Sequence, residues 1–247
     1  MAGKHRLDTI LVARGLAESR AKAQALALAG LVFSGERRLD KPGQMLATDT
    51  PLECRGRDHP YVSRGGVKLA HALDHFAIDP SGAIALDIGA STGGFTDVLL
   101  RRGAAKVYAV DVGHGQLDWR LRQDPRVVVR ERCNARHLTS AEIAESPSLI
   151  VCDASFIGLE TVLPAALALA APGASLVALI KPQFEVGKGR VGKGGVVRDP
   201  ALHEEVCARI AAWLAAQPGW SVRGIAESPI RGPEGNIEFL IAAERRQ

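Results

Sequence analysis

Three polar residues close or interrupt runs that are otherwise apolar: Asp153 ends SLIVCD, Lys181 ends SLVALIK, and Glu238 sits inside NIEFLIAA. A lysine at the end of an apolar strand, between two potential carboxylates, is costly unless it is paired or used. In GGVKLAHALDHF, Leu69, Leu73 and Phe76 share one helical stripe and Lys68 falls on another face, which makes Lys68 a fourth candidate. A lysine oriented by carboxylates can take a proton from a hydroxyl, or steady the charge that forms on it. A plainer reading stays open for each residue: Lys181 and Asp153 as a structural ion pair, Lys68 as a solvated side chain. Taken one at a time, Lys68 and Glu238 fit that plainer reading better.

A second group lies in Asp87-Ile-Gly89-Ala90-Ser91-Thr-Gly93-Gly94-Phe95, after a strand pattern and before a helical one. In a doubly wound sheet the first strand-to-helix turn borders the ligand crevice. Its glycines allow positive φ and close approach to a bound molecule; a tight connection without a ligand is the alternative. The spacing is GxxxGG with Ser91 in the middle, not GxGxxG, which disfavours a dinucleotide and with it an NAD-dependent dehydrogenase. Asp111 ends the next strand, where a carboxylate can accept from both hydroxyls of a ribose, and Asn134 follows the third strand, within reach of an adenine edge. An adenosine ligand without a pyrophosphate fits, and S-adenosylmethionine is the expected cofactor. A later glycine-rich stretch, GKGRVGKGGVVRD, has no Ser or Thr after Lys193 and opens no helix, so it is not a nucleotide-phosphate loop. It reads as a basic loop near the site, for phosphate-backbone contact or merely flexible.

The elements that must position these residues form two blocks. Residues 5–54 hold a helical pattern through Leu7, Ile10 and Leu11 that stops at Gly15, then a second helix from Ser19 to Gly30, then strand-like LVFSG and PLECR. RGRDHP at 55–60 is charged and short of apolar residues. The expected division is 1–56, a connector at 57–63, and 64–247. Beyond residue 64, strands alternate with helices, which argues for a parallel sheet covered on both faces. Helices are expected at 93–102, 115–122, from Thr139, at 159–170 and from Asp199 to about Ala216; the last two strands read as a hairpin, with an antiparallel member in the sheet. Thr161 to Ile180 carries no charge, but Pro172-Gly173 divides it into a helix and a short strand, so no membrane span is expected.

Composition sets outer limits. The chain has 247 residues, 47% hydrophobic and 23% charged, as expected of a globular protein with room for a small and a mid-sized domain. The net charge is +4, and residues 1–60 carry ten Lys/Arg against seven Asp/Glu, a basic module that suits an anionic partner or an ordinary solvated surface. Four cysteines at 54, 133, 152 and 207 show no CxxC pair, so no metal site is expected and a reducing cytoplasm suits them. The N-terminus lacks the apolar stretch of a secretory signal.

These segments resemble a known family. Lys68, Asp153, Lys181 and Glu238 look like the Lys-Asp-Lys-Glu tetrad of the FtsJ-type RNA ribose 2′-O-methyltransferases, with SRGGVKL and DIGASTGGFT matching their first-lysine and cofactor segments. The chain is more similar still to the TlyA (hemolysin A) family, through RLDTILVARGLAESRAKAQALALAGLV, YVSRGGVKL, CDASFIGL and LIKPQFEVGKGRVGKGGVVRDP, across nearly all of residues 5–243. The resemblance implies a small α+β S4-type RNA-binding domain before a Rossmann-like class I methyltransferase domain. It implies 2′-O-methylation of cytidine in ribosomal RNA of the small and sometimes the large subunit. RNA contacts are implied around Arg6, Ser19, Arg20 and Lys22, with basic Arg64 placed beside them; Arg and Lys near a capped helix start also suit phosphate. The expected reaction is in-line methyl transfer, with Lys181 as base or charge stabiliser and Asp153 and Glu238 orienting it. The alternatives are a non-catalytic RNA-binding assembly protein and, more remotely, a membrane-active hemolysin. Oligomeric state is left open.

Overall fold

The structure is a computed structural model and describes residues 3–17, 19–55, 59–187, 189–232 and 235–246. Its contacts divide the chain into Met1–Pro60 and Tyr61–Gln247. The first unit contains β1 (Lys4–Arg6), α1 (Leu7–Ala13), α2 (Arg20–Leu28), β2 (Val32–Ser34), β3 (Arg37–Arg38), β4 (Met45–Ala47) and β5 (Glu53–Cys54). Both expected helices form. α1 is followed by Gly15 at φ 68°, a turn that a side chain would strain, and Ser19 caps α2 by accepting from the Lys22 N–H at 3.2 Å. Strand β1 pairs with β4, and β3-β2-β5 form a small antiparallel sheet. β1, β3 and β4 are two or three residues long, too short to show a period of two in the sequence. Leu7, Leu11, Ala23, Ala27, Val32 and Leu39 form this unit's own core.

The second unit runs α3 (Gly65–His75), β6 (Ile84–Ile88), α4 (Gly94–Arg101), β7 (Lys106–Val110), α5 (Trp119–Gln123), β8 (Val127–Arg130), β9 (Leu149–Cys152), α6 (Leu159–Val162), α7 (Pro164–Leu169), β10 (Ser175–Ile180), α8 (Pro182–Glu185), α9 (Pro200–Ala215), β11 (Trp220–Glu227) and β12 (Phe239–Arg245). The sheet order is β11-β12-β10-β9-β6-β7-β8, with β12 antiparallel to both neighbours and the pairs from β10 to β8 parallel. This is an α/β, Rossmann-like sheet with one antiparallel strand. From β6 the chain winds outward through β7 and β8, then returns to β9 on the other side. The ends of β6 and β9 therefore form the switch point where such sheets bind ligands. Alternation along the strands feeds two cores: Leu86, Ile88, Ile150 and Cys152 pack with Leu163 and Ile210, while Ala85, Val107 and Val151 pack with Leu69, Leu73 and Val98.

Several elements differ from the sequence reading for local reasons. The helix expected at 115–122 is only α5, opened by Asp118, which accepts from the Arg120 N–H. No helix grows from Thr139. Its N–H and hydroxyl both bond Glu142, the Glu142 carbonyl accepts from Arg130, and Pro147 follows closely; a short 3₁₀ turn at Ala135–His137 precedes it instead. Pro164, with no N–H to give, splits 159–170 into α6 and α7. Glu238 falls one residue before β12 rather than inside it. Of the expected connector, Arg57 and Asp58 lie outside the described residues, as does Gly56 before it. Val62 is buried in the second unit's core and its N–H is held by Asp97 at 2.9 Å.

Candidate active site

The Gly65-Gly66 pair that opens α3 packs on the Gly93-Gly94 pair that opens α4. A Cβ on Gly94 would overlap Ser63 Oγ and sit 3.0 Å from the Gly66 nitrogen; one on Gly66 would lie 2.5 Å from the Tyr61 ring; one on Gly93 would overlap Leu121. These glycines serve contact between two helix starts, and neither Gly93, Gly94 nor Phe95 borders the cleft described below. Gly89 also serves a close approach. At φ 80°, its Cβ would come within 3.0 Å of the Ala154 backbone, so the β6 turn can close against the β9 turn only without a side chain. With α3 held in this way, Lys68 points inward. It is buried, not solvated, and its Nζ lies 2.5 Å from Glu238 Oε2.

Glu238 is itself 1% exposed and approached by Gln183 Nε2 at 3.4 Å. Gly232 abuts its carboxylate so closely that a Cβ would overlap it. In the register of β10 with β12, Ile180 faces Phe239, so Lys181 and Glu238 lie across from each other at the carboxyl end of β10. Lys181 Nζ is 2.6 Å from Asp153 Oδ1, 3.1 Å from the Asp153 carbonyl and 2.9 Å from Ser155 Oγ. Asp153 Oδ2 would lie 3.5 Å from a Cβ on Gly65, three residues before Lys68. The four candidates are thus gathered into two ion pairs at one end of the sheet, Lys68–Glu238 buried and Lys181–Asp153 with its carboxylate half-buried.

A cleft of about 380 Å³ opens at the switch point, lined by Gly89, Ser91, Asp111, Asn134, Asp153 and Phe156 among others. Asp111 sits at its edge, accepting from the Ser91 N–H at 2.8 Å and the Gly113 N–H at 2.6 Å. Asn134 caps the 3₁₀ turn by accepting from the Arg136 N–H. Ala90 and Asp87 lie just behind the wall. Asp87 is fully buried, and burial pushes its carboxyl up to about 7 while the Thr96 hydroxyl, donating at 2.6 Å, opposes the rise; its other oxygen has no hydrogen-bond partner. The lining holds two aspartates and no lysine or arginine, with an apolar floor of Ile88, Val110, Ala135 and Val162. That chemistry repels a pyrophosphate and suits a cationic adenosine ligand. The sequence reading missed Val112, Gly113, Gln116, Ser155 and Phe156. Phe156 was the most legible of them, an aromatic directly after Asp153-Ala-Ser155. It is 89% exposed with φ at 65°, and its ring lies 5.0 Å from that of Phe184.

In the first unit, Arg6 and Arg20 come together on Asp8. Arg6 donates twice, at 3.0 and 2.9 Å, and Arg20 at 3.1 Å, joined by Gln24 at 2.9 Å. The Arg6 guanidinium, with Gln24 and Arg20, holds the buried Asp8 carboxyl far below the usual range. Ser19, Arg20 and Lys22 are exposed at the start of α2. Asp8 had escaped the sequence reading, although an acid within Leu7–Leu11 was its signal. Arg64 is in the second unit, at the start of α3, donating to the Arg231 carbonyl at 3.4 Å.

Residues 61–245 match the model for FtsJ-like methyltransferases. The chain belongs to the FtsJ-like methyltransferase family. Residues 5–50 of the same methyltransferase match the S4 domain. It is 50% identical over 247 residues to the 16S/23S rRNA (cytidine-2′-O)-methyltransferase TlyA of Mycobacterium tuberculosis, covering 98% of this chain and 90% of that one. It is 37% identical to the 23S rRNA (cytidine-2′-O)-methyltransferase TlyA of Campylobacter jejuni, over 81% of this chain and 76% of the relative. A solved structure described as a hemolysin from Streptococcus thermophilus matches with a TM-score of 0.77 and 44% identity, covering all of this chain and 90% of that one. The methyl donor of this methyltransferase family is S-adenosylmethionine, and the charge and shape of the cleft suit it.

Proposed function

We propose that this chain transfers a methyl group from S-adenosylmethionine to the ribose 2′-oxygen of a cytidine in ribosomal RNA, in 16S, 23S or both, within the cytoplasm. The observation that carries the reading is the buried ion pair Lys68–Glu238 and the half-buried pair Lys181–Asp153, beside an acidic, apolar-floored cleft. Bound there, S-adenosylmethionine supplies an electrophilic methyl group. Asp111 would accept from the ribose hydroxyls, Asn134 would meet the adenine edge, and Gly89 and Ser91 would follow the ligand with backbone. Lys181 takes the acceptor proton or stabilises the forming alkoxide, and Asp153 and Glu238 hold the two lysines in place. Burial keeps water from competing as methyl acceptor. A 2′-oxygen must be aligned with the methyl group, which favours a splayed nucleotide over one inside a duplex. Arg6, Ser19, Arg20 and Lys22 would hold RNA phosphates, with Arg64 contributing from the catalytic unit. Among the described residues no helix is long and apolar enough to cross a membrane.

The test is methyl transfer from labelled S-adenosylmethionine to ribosomal subunits, wild type against Lys181→Ala. The expected outcome is label on RNA, ribose-linked after digestion, with a loss of at least ~100-fold in the variant. No label from folded, cofactor-bound wild type would leave an RNA-binding assembly protein as the better reading.

A further inference from the structure

Lys181 is 6% exposed, and its ammonium has three N–H groups to place. Two of them have acceptors within the chain, the Asp153 carbonyl at 3.1 Å and Ser155 Oγ at 2.9 Å, and the Asp153 carboxylate lies 2.6 Å from the ammonium as its ion-pair partner. The carboxylate is held by charge and the carbonyl by the backbone. Ser155 is exposed, turns on a single side-chain torsion, and borders the cleft, which Lys181 itself does not. The next residue, Phe156, sits at φ 65°, a conformation that a bulky residue rarely adopts and that marks a loop held in place by its surroundings. It turns the chain where Ser155 meets Lys181.

We propose that Ser155 is a further catalytic residue, the hydroxyl through which buried Lys181 reaches the acceptor oxygen. This rests on the reading of the chain as a 2′-O-methyltransferase. The step requires one Lys181 proton to leave for solvent and the Ser155 hydroxyl to turn, so that its O–H donates to Nζ while the ribose 2′-O–H donates to Ser155 Oγ. The 2′-oxygen forms its new bond to the methyl carbon as the carbon–sulfur bond breaks and leaves its electron pair on sulfur. The 2′-proton passes to Ser155 Oγ and the Ser155 proton to Nζ. Sulfur ends neutral, Lys181 ends as the ammonium, and Ser155 is regenerated.

The experiment is single-turnover methyl transfer to 30S and 50S subunits that lack the methyl group, with wild type, Ser155→Ala and Ser155→Thr. Cofactor affinity is measured by calorimetry for each. Ser155→Ala is expected to lose ~100-fold in rate, with S-adenosylmethionine affinity within twofold of wild type, while Ser155→Thr recovers most of the rate. In mixed H₂O/D₂O the wild-type rate is expected to show two protons in flight. Ser155→Ala within threefold of wild type, or Ser155→Thr no better than Ser155→Ala, would overturn the relay and leave Lys181 or Asp153 to meet the acceptor directly. A wild type that binds cofactor and labels no subunit would sink the functional reading, and the relay with it.

Discussion

At the residue scale, this site is built from charges that do not tolerate solitude. Lys68 and Glu238 are both buried, and each is acceptable there only because of the other. Asp87 is the exception, a fully buried carboxyl whose strongest contact is a neutral hydroxyl. Its raised pKa has a sign that can be tested. Between about 4 and 7 the folded chain holds this proton while the unfolded chain has released it, so stability falls as pH rises through that window. The expected outcome is that Asp87→Asn flattens the fall of the cofactor-free protein's unfolding midpoint between pH 4 and 7, followed by denaturant titration. An unchanged slope would mean that Asp87 ionises as easily as an exposed aspartate.

At the element scale, helix starts do most of the positioning. α3 brings Lys68 and α4 follows the turn after β6, and glycines at both starts let the helices come close above the Leu69, Leu73 and Val98 contacts. Gly94→Ala therefore inserts a methyl group where Ser63 Oγ already stands. A destabilisation of about 1–3 kcal/mol is expected, with methyl transfer falling further than cofactor affinity because α3 must shift. Thermal unfolding alongside calorimetry of S-adenosylmethionine binding checks this, and an alanine variant with wild-type stability would show that the helices separate at little cost. The same element-level logic fastens the basic loop beside the site. Buried Asn236 donates to the Gly195 carbonyl and accepts from the Val197 N–H at 3.0 Å each, and His203 bonds the Val197 carbonyl. That loop, left open between phosphate contact and flexibility in the sequence, is pinned at its C-terminal side, two residues from Glu238.

At the scale of the whole molecule, the two units have separate cores and separate chemistry. Asp8 gathers Arg6 and Arg20 in the first, and nothing of the cleft belongs to it. Arg20→Ala is accordingly expected to weaken binding to ribosomal RNA by roughly tenfold and to reduce its salt dependence by about one counterion. S-adenosylmethionine affinity should stay within twofold. Filter binding across a salt series, together with calorimetry, separates these effects. Equal RNA affinity in the variant would remove Arg20 from the interface.

The sequence by itself determined the strand and helix alternation and the presence of two units, because hydrophobic period and capping residues are local properties of the chain; the four polar residues came together as a set only through the resemblance to the FtsJ-type enzymes. It stopped short where a decision depended on what lies opposite. Lys68 sat on the polar side of its own helix, yet the tertiary structure buried it, because Glu238, 170 residues away, answers its charge. Gly93 and Gly94 read as ligand-facing, and only the tertiary structure shows their packing against Ser63–Gly66 and Leu121. Ser155 carried no periodic signal at all; its place between the buried amine and the open cleft exists only once β9 and β10 lie side by side.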